Sequence, residues 1–300
     1  MVRTPPPPAR THAPGFSLSL LATPLTSAAL AAARAPADVR TLVGPSVLTP
    51  EKELSLLERV NKEKFTAVKV EGGDKVLLTP HGVLASGLYL DPSSRCALNV
   101  DHKALTATQS TEPLSPAEVA SLEGAAALRD SVDRAMQQYC SSFLPSGGVA
   151  TTYGSTGAGV KVVCCLSGRA SDLSNYWAGL WQSEWTLEVP MGGKVGTLTG
   201  KVSVHVHYFE DGNVQLDDKV VFQHEISGDP ADAGKDFAAK VHECESGFMA
   251  KLEDIFANMT GNVLQGLRRR LPITQKKFDW DNLAVSGLAS SLQRAAKMGQ

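Results

Sequence analysis

The sequence has few of the features that mark secreted, membrane-spanning or catalytic proteins. Its five cysteines are odd in number and include no CxxC pair, which favours reduced cytosolic thiols over a disulfide framework or a metal ribbon. No apolar stretch approaches the ~20 residues that a membrane-spanning helix needs. No GxSxG, HExxH or protein-kinase signature occurs, and no pair of carboxylates stands out as acid and base. The sequence therefore argues against an integral membrane protein and gives no argument for an enzyme or a cofactor.

What the chain does contain is typical of a globular protein. The apolar residues make up 43% and the charged residues 20% of the 300 positions. This length is large for a single domain, although one elongated domain is possible. We therefore expect one sizeable core.

Two short patterns resemble ligand sites but are better explained by structure. The segment 154–161 (GSTGAGVK) lacks the Lys directly after the last Gly that a phosphate loop requires, so a hairpin loop is the better interpretation. His205 and His207 would share one face of a strand and could ligate a metal. Because no third ligand is evident nearby, we interpret them as solvent-side histidines.

Hydrophobic periodicity predicts an α+β fold with an antiparallel sheet. Leu54, Leu57 and Val60 mark a helix, and Ser115-Pro116-Ala117-Glu118 is a capping-box start for another. The apolar positions from Phe237 to Leu271 recur every three or four residues and predict one long helix that ends before Pro272. The predicted elements are helices within 16–62, small strands within 65–100, a helix over 115–144, a sheet over 150–226 and the long helix over 235–271.

The two ends of the chain differ from this body. Residues 1–10 are a Pro-rich overhang, and the acid-free stretch 1–37 also has the composition of a transit peptide. Residues 264–300 carry seven basic and two acidic side chains, a net charge of +5, so that residues 1–263 carry −7 of the total of −2. Such a separation means that the tail is attracted to an anionic surface while the body is not.

The tail combines a basic cluster with an amphipathic stretch. From about Asp279 a short helix is plausible, with Val285, Leu288 and Leu292 on one face, and it would gain order in a partner's groove. Charge pattern alone leaves three partners open, namely an anionic protein surface, acidic lipid or nucleic acid. The candidate binding residues are Arg268, Arg269, Arg270, Lys276, Lys277, Val285, Leu288 and Leu292.

Several segments, in consistent order from about residue 11 to the end, resemble the alpha subunit of the F-actin capping protein. Residues 207–216 (HYFEDGNVQL) are nearly the family's HYYEDGNVQL, and residues 267–274 (LRRRLPIT) are similar to LRRQLPVT. The remaining matches are Thr11–Phe16, Phe65–Gly72, Leu90–Pro92, Trp181–Trp185 and Phe278–Trp280. Because Thr11–Phe16 lies inside the acid-free stretch, the resemblance counts against a transit peptide.

The resemblance implies a non-enzymatic subunit that pairs with a beta subunit of the same fold. It implies N-terminal helices, a central antiparallel sheet continued across the heterodimer, one long helix over the sheet, and a C-terminal tentacle, here residues 272–300. The tentacles would bind the barbed end of an actin filament without calcium and block subunit addition and loss. Phosphoinositides and proteins with a capping-protein-interaction motif are implied regulators, and the cytoplasmic, cortical actin cytoskeleton is the implied location. No nucleic acid is expected.

Two departures bear on the predicted contact. Gln265 and Gln275 stand where the family commonly has Lys and Arg, while Arg270 and Lys276 replace neutral residues nearby. The total charge is roughly kept, but its placement shifts. Two alternatives stay open, namely a divergent member that acts as a basic-tailed lipid or nucleic-acid adaptor, and a subunit that caps only an actin-like filament in dynactin.

Overall fold

A computed structural model describes residues 49–144, 147–172, 177–208 and 214–258 of the chain. The chain divides into two compact units, Met1–Glu245 and Ser246–Gln300. The described helices are α1 (Pro50–Glu63), α2 (Pro116–Phe143) and α3 (Pro230–Asn258), and a 3-10 turn spans Pro80–Gly82. The described strands are β1 (Thr66–Val70), β2 (Lys75–Leu78), β3 (Tyr89–Asp91), β4 (Cys96–Asp101), β5 (Thr106–Gln109), β6 (Val149–Thr156), β7 (Gly159–Asp172), β8 (Trp177–Pro190), β9 (Val195–Tyr208) and β10 (Val214–Ser227).

The predicted capping box begins α2. The Ser115 side chain accepts a hydrogen bond from the Glu118 N–H at 3.3 Å, and the Ser115 N–H donates to Glu118 Oε2 at 2.8 Å. Both helix-start groups are therefore satisfied locally, which is why the sequence alone locates this boundary.

Helix α1 lies where the sequence predicts it, but its buried face is a different one. Leu54 and Val60, which mark the helical spacing, are 47% and 46% exposed. The buried positions are Glu53 and Asn61. Asn61 Nδ2 donates to the His102 backbone carbonyl at 3.1 Å, so polar pairing rather than apolar burial orients this helix.

Strands β1 to β5 form a small mixed sheet in the order β2-β1-β5-β4-β3. The sequence indicates four of these strands. It does not indicate β5, which pairs parallel to β1 and joins the two hairpins into one sheet. Parallel pairing of this kind depends on contacts distant in sequence, so local periodicity carries little signal for it.

Strands β6 to β10 form a large antiparallel meander, in the order β10-β9-β8-β7-β6. This sheet confirms the prediction for 150–226. The glycine-rich segment 154–161 is the β6–β7 hairpin, with Thr156 paired with Val160. The phosphate-loop pattern is thus a turn, as expected.

Helix α3 begins at Pro230, five residues before the predicted start at 235, and it is described up to Asn258. Ala233, Phe237 and Val241 are fully buried at helical spacing. Gly234 lies so close to α2 that an added Cβ would be 2.3 Å from the Ser131 carbonyl oxygen. The first half of α3 therefore packs closely on the rest of its unit.

A buried carboxylate connects α3 to the large sheet and to α2. Glu245 is fully buried, its Oε1 accepts a hydrogen bond from Trp185 Nε1 at 2.8 Å, and its Oε2 accepts one from the Tyr139 hydroxyl at 2.9 Å. Burial raises the pKa of Glu245, and the neighbouring polar groups of Ser183, Trp185, Tyr139 and Trp181 act in the opposite direction.

Other predictions fall outside the described residues. These are the overhang 1–10, the helices over 16–48, the turn at 210–213, the extension of the long helix over 259–271 and the tentacle 272–300. The division into a core of 11–271 and a tentacle stays a prediction. None of the helices within the described ranges is long and apolar enough to cross a membrane.

The Glu245 network predicts a specific dependence of stability on side chain and pH. Glu245→Ala would leave the buried Trp185 N–H without its acceptor and create a cavity, so we expect the free energy of unfolding to fall by about 3–5 kcal/mol. Glu245→Gln keeps the shape and one acceptor, so it should cost about 1 kcal/mol. Urea unfolding monitored by circular dichroism measures both.

The dependence of the free energy of unfolding on pH distinguishes the effect of ionising the Glu245 carboxyl group from the effect of its shape. Because the folded pKa is raised, the stabilising contribution of Glu245 is fully present below the ordinary carboxyl pKa and declines as pH rises toward the folded pKa. Glu245→Gln should remove that decline. Glu123→Gln, at an exposed position on α2, is the matched control and should leave the profile unchanged; equal effects at both positions would contradict the prediction.

Candidate functional site

The residues predicted to bind actin lie outside the described part of the chain. This applies to Arg268, Arg269, Arg270, Lys276, Lys277, Val285, Leu288 and Leu292. Their assignment therefore stays a prediction. The described residues offer a second candidate binding feature, which is the edge of the large sheet.

Strand β10 forms that edge and pairs, within the described residues, only with β9. It is 14 residues long, and its pairing runs without interruption from Val214 opposite Tyr208 to Ser227 opposite Val195. An unbroken strand presents a continuous row of backbone N–H and C=O groups along its outer side. Such an edge is a template on which another chain can add a strand.

The two faces of β10 have different environments. On the inner face the ring of Phe222 stacks on Trp185 with centroids 5.7 Å apart, and His224 Nε2 lies 3.2 Å from Cys244 Sγ on α3. On the other face Val221 is 66% exposed. That exposed face also carries Asp217, Lys219, Gln223 and Glu225. The inner face thus fixes the strand on the core, while no other strand of the described ranges pairs with its outer edge.

One histidine of the pair on β9, His205, has a carboxylate partner on the neighbouring strand. His205 Nδ1 lies 2.7 Å from Asp217 Oδ1 on β10, which is a cross-strand pair at the surface. The described residues include a single group of three potential metal ligands, and neither His205 nor His207 belongs to it. The solvent-side interpretation of His205 therefore holds.

The segment Trp181–Trp185 serves both faces of β8. Trp185 donates its indole N–H to Glu245 on the helix side, and Trp181 and Ser183 lie on the same face of the strand. On the opposite face, Gln182 Nε2 donates to the Glu63 carbonyl at 3.0 Å. Gly200 lies opposite Trp185, and an added Cβ would be 2.2 Å from the indole ring, so only glycine leaves room for it.

Sequence reasoning did not single out Glu245, Gly200 or the β10 edge. A charged residue in a helical pattern is ordinarily assigned to solvent, and the glycine shows its role only through a cross-strand partner. The sequence did predict a sheet over 150–226 but not that β10 lies at its edge. These positions act through packing and binding. A separate buried group is the Cys140 thiol, whose pKa burial raises to about 11, so that the thiol stays protonated.

Comparison with known proteins assigns the family. The family model described as F-actin capping protein alpha subunit matches residues 26–290. The F-actin-capping protein subunit alpha of Dictyostelium discoideum is 29% identical over 262 residues, which cover 86% of this chain and 90% of that protein. The corresponding protein of Caenorhabditis elegans is 29% identical over 250 residues and covers 81% and 85%, respectively.

A solved structure shows the same fold. The homodimeric actin capping protein alpha subunit from Plasmodium berghei superposes with a TM-score of 0.63, covering 81% of this chain and 92% of that chain. At 17% sequence identity this likeness concerns the fold alone. The family match over 26–290 spans well over half of the sequence and includes the described helices and strands. The chain therefore belongs to the F-actin capping protein alpha subunit family.

Proposed function

We propose that this chain is the alpha subunit of a heterodimer that binds the barbed end of actin filaments without calcium and blocks subunit addition and loss. The observation that carries this proposal is the family match over 26–290, which runs through the basic cluster and most of the amphipathic stretch. The proteins it resembles over this length are named F-actin-capping protein subunit alpha.

Charge separation supports a role for the tail in binding actin. The segment 264–300 carries +5 while residues 1–263 carry −7, so an acidic filament end attracts the tail and repels the body. Arg268, Arg269 and Arg270 would hold carboxylates at that end, because a guanidinium can bind a carboxylate through two parallel hydrogen bonds. Lys276 and Lys277 would add attraction without that geometry.

The amphipathic stretch would supply the apolar part of the contact. Val285, Leu288 and Leu292 recur at helical spacing, and a helix in a groove is recognised through such positions. The stretch is short enough to be marginal on its own, so binding and helix formation would occur together. Two such tails on one heterodimer would add avidity.

The edge of the large sheet supports pairing with a beta subunit. Strand β10 is long, has uninterrupted register and carries exposed Val221, as a strand that continues a sheet across an interface needs. A second subunit there would also cover an edge that is otherwise prone to aggregation. The Plasmodium berghei alpha subunit is described as homodimeric, so a second copy of this chain is the alternative occupant.

The family resemblance also supports proposals for how the protein is regulated and where it is found. Anionic phosphoinositides would compete with actin for the basic cluster, because both present negative charge. Proteins with a capping-protein-interaction motif would bind the heterodimer. The expected location is the cytoplasmic cytoskeleton at cortical actin.

The first prediction is inhibition of filament growth. Elongation of pyrene-labelled actin from preformed seeds should stop at saturating concentrations of the chain co-expressed with its beta subunit, equally with calcium and with chelator. Unaltered elongation together with binding of the complex to acidic liposomes or RNA would instead support the basic-tailed adaptor. Capping of an actin-like filament alone would support the dynactin alternative.

The second prediction concerns the basic cluster. Replacing Arg268, Arg269 and Arg270 with Ala should weaken capping about tenfold or more, because three charge contacts are lost, and should reduce its dependence on salt. Dissociation constants from elongation rates at several salt concentrations measure both effects.

The matched control removes the same charge from the body. Lys52, Lys64 and Lys69 are exposed, and their replacement with Ala should leave capping unchanged. If the two triple variants cap equally well, the proposal that the tail binds actin through its charge is wrong.

The third prediction concerns the sheet edge and uses hydrogen–deuterium exchange of the purified complex. If β10 continues into a partner's strand, its amides should exchange as slowly as those of the central strand β8. If β10 is an open edge, about half of its amides should exchange fast, since alternate residues of an edge strand face away from their neighbour. The mass of the complex distinguishes a beta subunit from a second copy.

A further inference from the structure

Three side chains from different elements meet between the small and the large sheet. They are His81 in the 3-10 turn, Cys165 on β7 and Glu184 on β8. We propose that His81, Cys165 and Glu184 bind a zinc ion that fastens the turn of the small sheet to the large sheet. This inference concerns stability of the body and is independent of the capping function.

The register of the large sheet places two of the ligands together. Cys165 is directly opposite Glu184 in the β7–β8 pairing, so their side chains leave the same face of the sheet. The backbone therefore fixes this pair without help from the metal. His81 reaches the pair from the 3-10 turn between β2 and β3, where Thr79 and Pro80 begin the turn.

The distances suit a tetrahedral ion after a small adjustment. His81 Nε2 and Glu184 Oε2 are 3.2 Å apart, and the three ligand atoms all lie within 4.8 Å of one another. Zinc bonds of 2.0–2.3 Å place neighbouring ligand atoms about 3.3–3.6 Å apart. Rotation of the His81 and Glu184 side chains, which are 31% and 24% exposed, can close the remaining ångström.

The donor set favours zinc over the common hard cations. One imidazole nitrogen, one thiolate and one carboxylate suit Zn²⁺, whereas Mg²⁺ and Ca²⁺ prefer oxygen ligands. On binding, the Cys165 thiol loses its proton to solvent and the sulfur–metal bond forms, with no change of oxidation state. A water molecule would fill the fourth position, which faces the exposed side of His81 and Glu184.

The surroundings separate this cluster from an ordinary ion pair. Cys165 is fully buried and packs in one apolar cluster with Phe65, Leu77 and Tyr153. Lys201, opposite Glu184 on β9, lies 3.9 Å from Glu184 Oε1, which leaves Oε2 on the side of His81. The Cys165 thiol adds a third donor atom beside the histidine–carboxylate pair.

Such a site would reinforce contacts that already join the two sheets. The Leu77 N–H donates to Thr151 Oγ1 at 3.0 Å, and the Tyr153 hydroxyl donates to the Leu77 carbonyl at 2.9 Å. A metal that binds only the folded chain stabilises it by mass action. The consequence is a body whose small sheet is held more firmly when zinc is present.

The test measures metal binding by the full chain, purified with its partner subunit where this is needed for solubility. Zn²⁺ binding should reach one ion per chain in a competition with a chromophoric chelator and should raise the midpoint of thermal unfolding. Co²⁺ in place of Zn²⁺ should produce a thiolate charge-transfer band. His81→Gln, at a partly exposed position, should weaken Zn²⁺ binding by at least about tenfold.

Adjacent cysteines provide the matched control. Cys164 and Cys165 are both fully buried but point to opposite faces of β7, so Cys164→Ala should retain the cobalt band and Cys165→Ala should lose it. Any zinc held by the partner is common to both variants and cancels in the comparison. If the wild-type chain binds no stoichiometric zinc, or if His81→Gln and Cys165→Ala bind it as tightly as the wild type, the proposal is wrong.

Discussion

The packing of α3 on the large sheet depends on the buried carboxylate of Glu245. Removing a carboxylate from water is unfavourable unless hydrogen bonds replace its hydration. Here Trp185 and Tyr139 donate hydrogen bonds to it at 2.8 and 2.9 Å. Because these donors come from β8 and α2, the helix has one rotational setting that satisfies all of them.

Strand β8 connects the position of α3 on one face of the large sheet to α1 and the 3-10 turn on the other face. Since successive side chains of a strand point to opposite faces, Trp181, Ser183 and Trp185 face the helix while Gln182 and Glu184 face the other side. Gln182 donates to the Glu63 carbonyl at the end of α1, and Glu184 lies 3.2 Å from His81. A short segment thus fixes the helix layer and the small sheet at once. This explains why a run of alternating aromatic and polar residues occurs in the middle of the sheet.

Local physics made part of the fold predictable from sequence. The capping box at Ser115 and the β6–β7 turn involve residues within a few positions of one another, so their patterns are visible in the chain. The parallel pairing of β1 with β5 joins segments far apart in sequence and leaves no periodic trace. The cluster of His81, Cys165 and Glu184 is equally hard to predict from sequence. Its residues come together through the pairing register of the large sheet, which local sequence patterns do not show.

Helix α1 shows how periodicity can identify an element and still mislead about its face. The leucine spacing is helical, yet Leu54 is 47% exposed while Glu53 is buried and lies 3.2 Å from the Lys103 ammonium. Apolar spacing reports which residues could be buried together, and polar pairing decided which ones are. For the predicted actin-binding residues, the charge separation is likewise a property of composition. It indicates that the partner carries negative charge, but not the geometry of the contact.

The β10 edge raises the question of what selects its partner. In an antiparallel pairing of two copies, a register that places Lys219 opposite Glu225 of the second copy forms that pair twice, because a two-fold axis repeats every contact. The same charges would suit a different subunit that presents an acidic and a basic residue at this spacing. Charge along the edge therefore does not discriminate between a second copy and a beta subunit. Discrimination must come from the side chains that pack above and below the joined strands, where shape rather than charge decides.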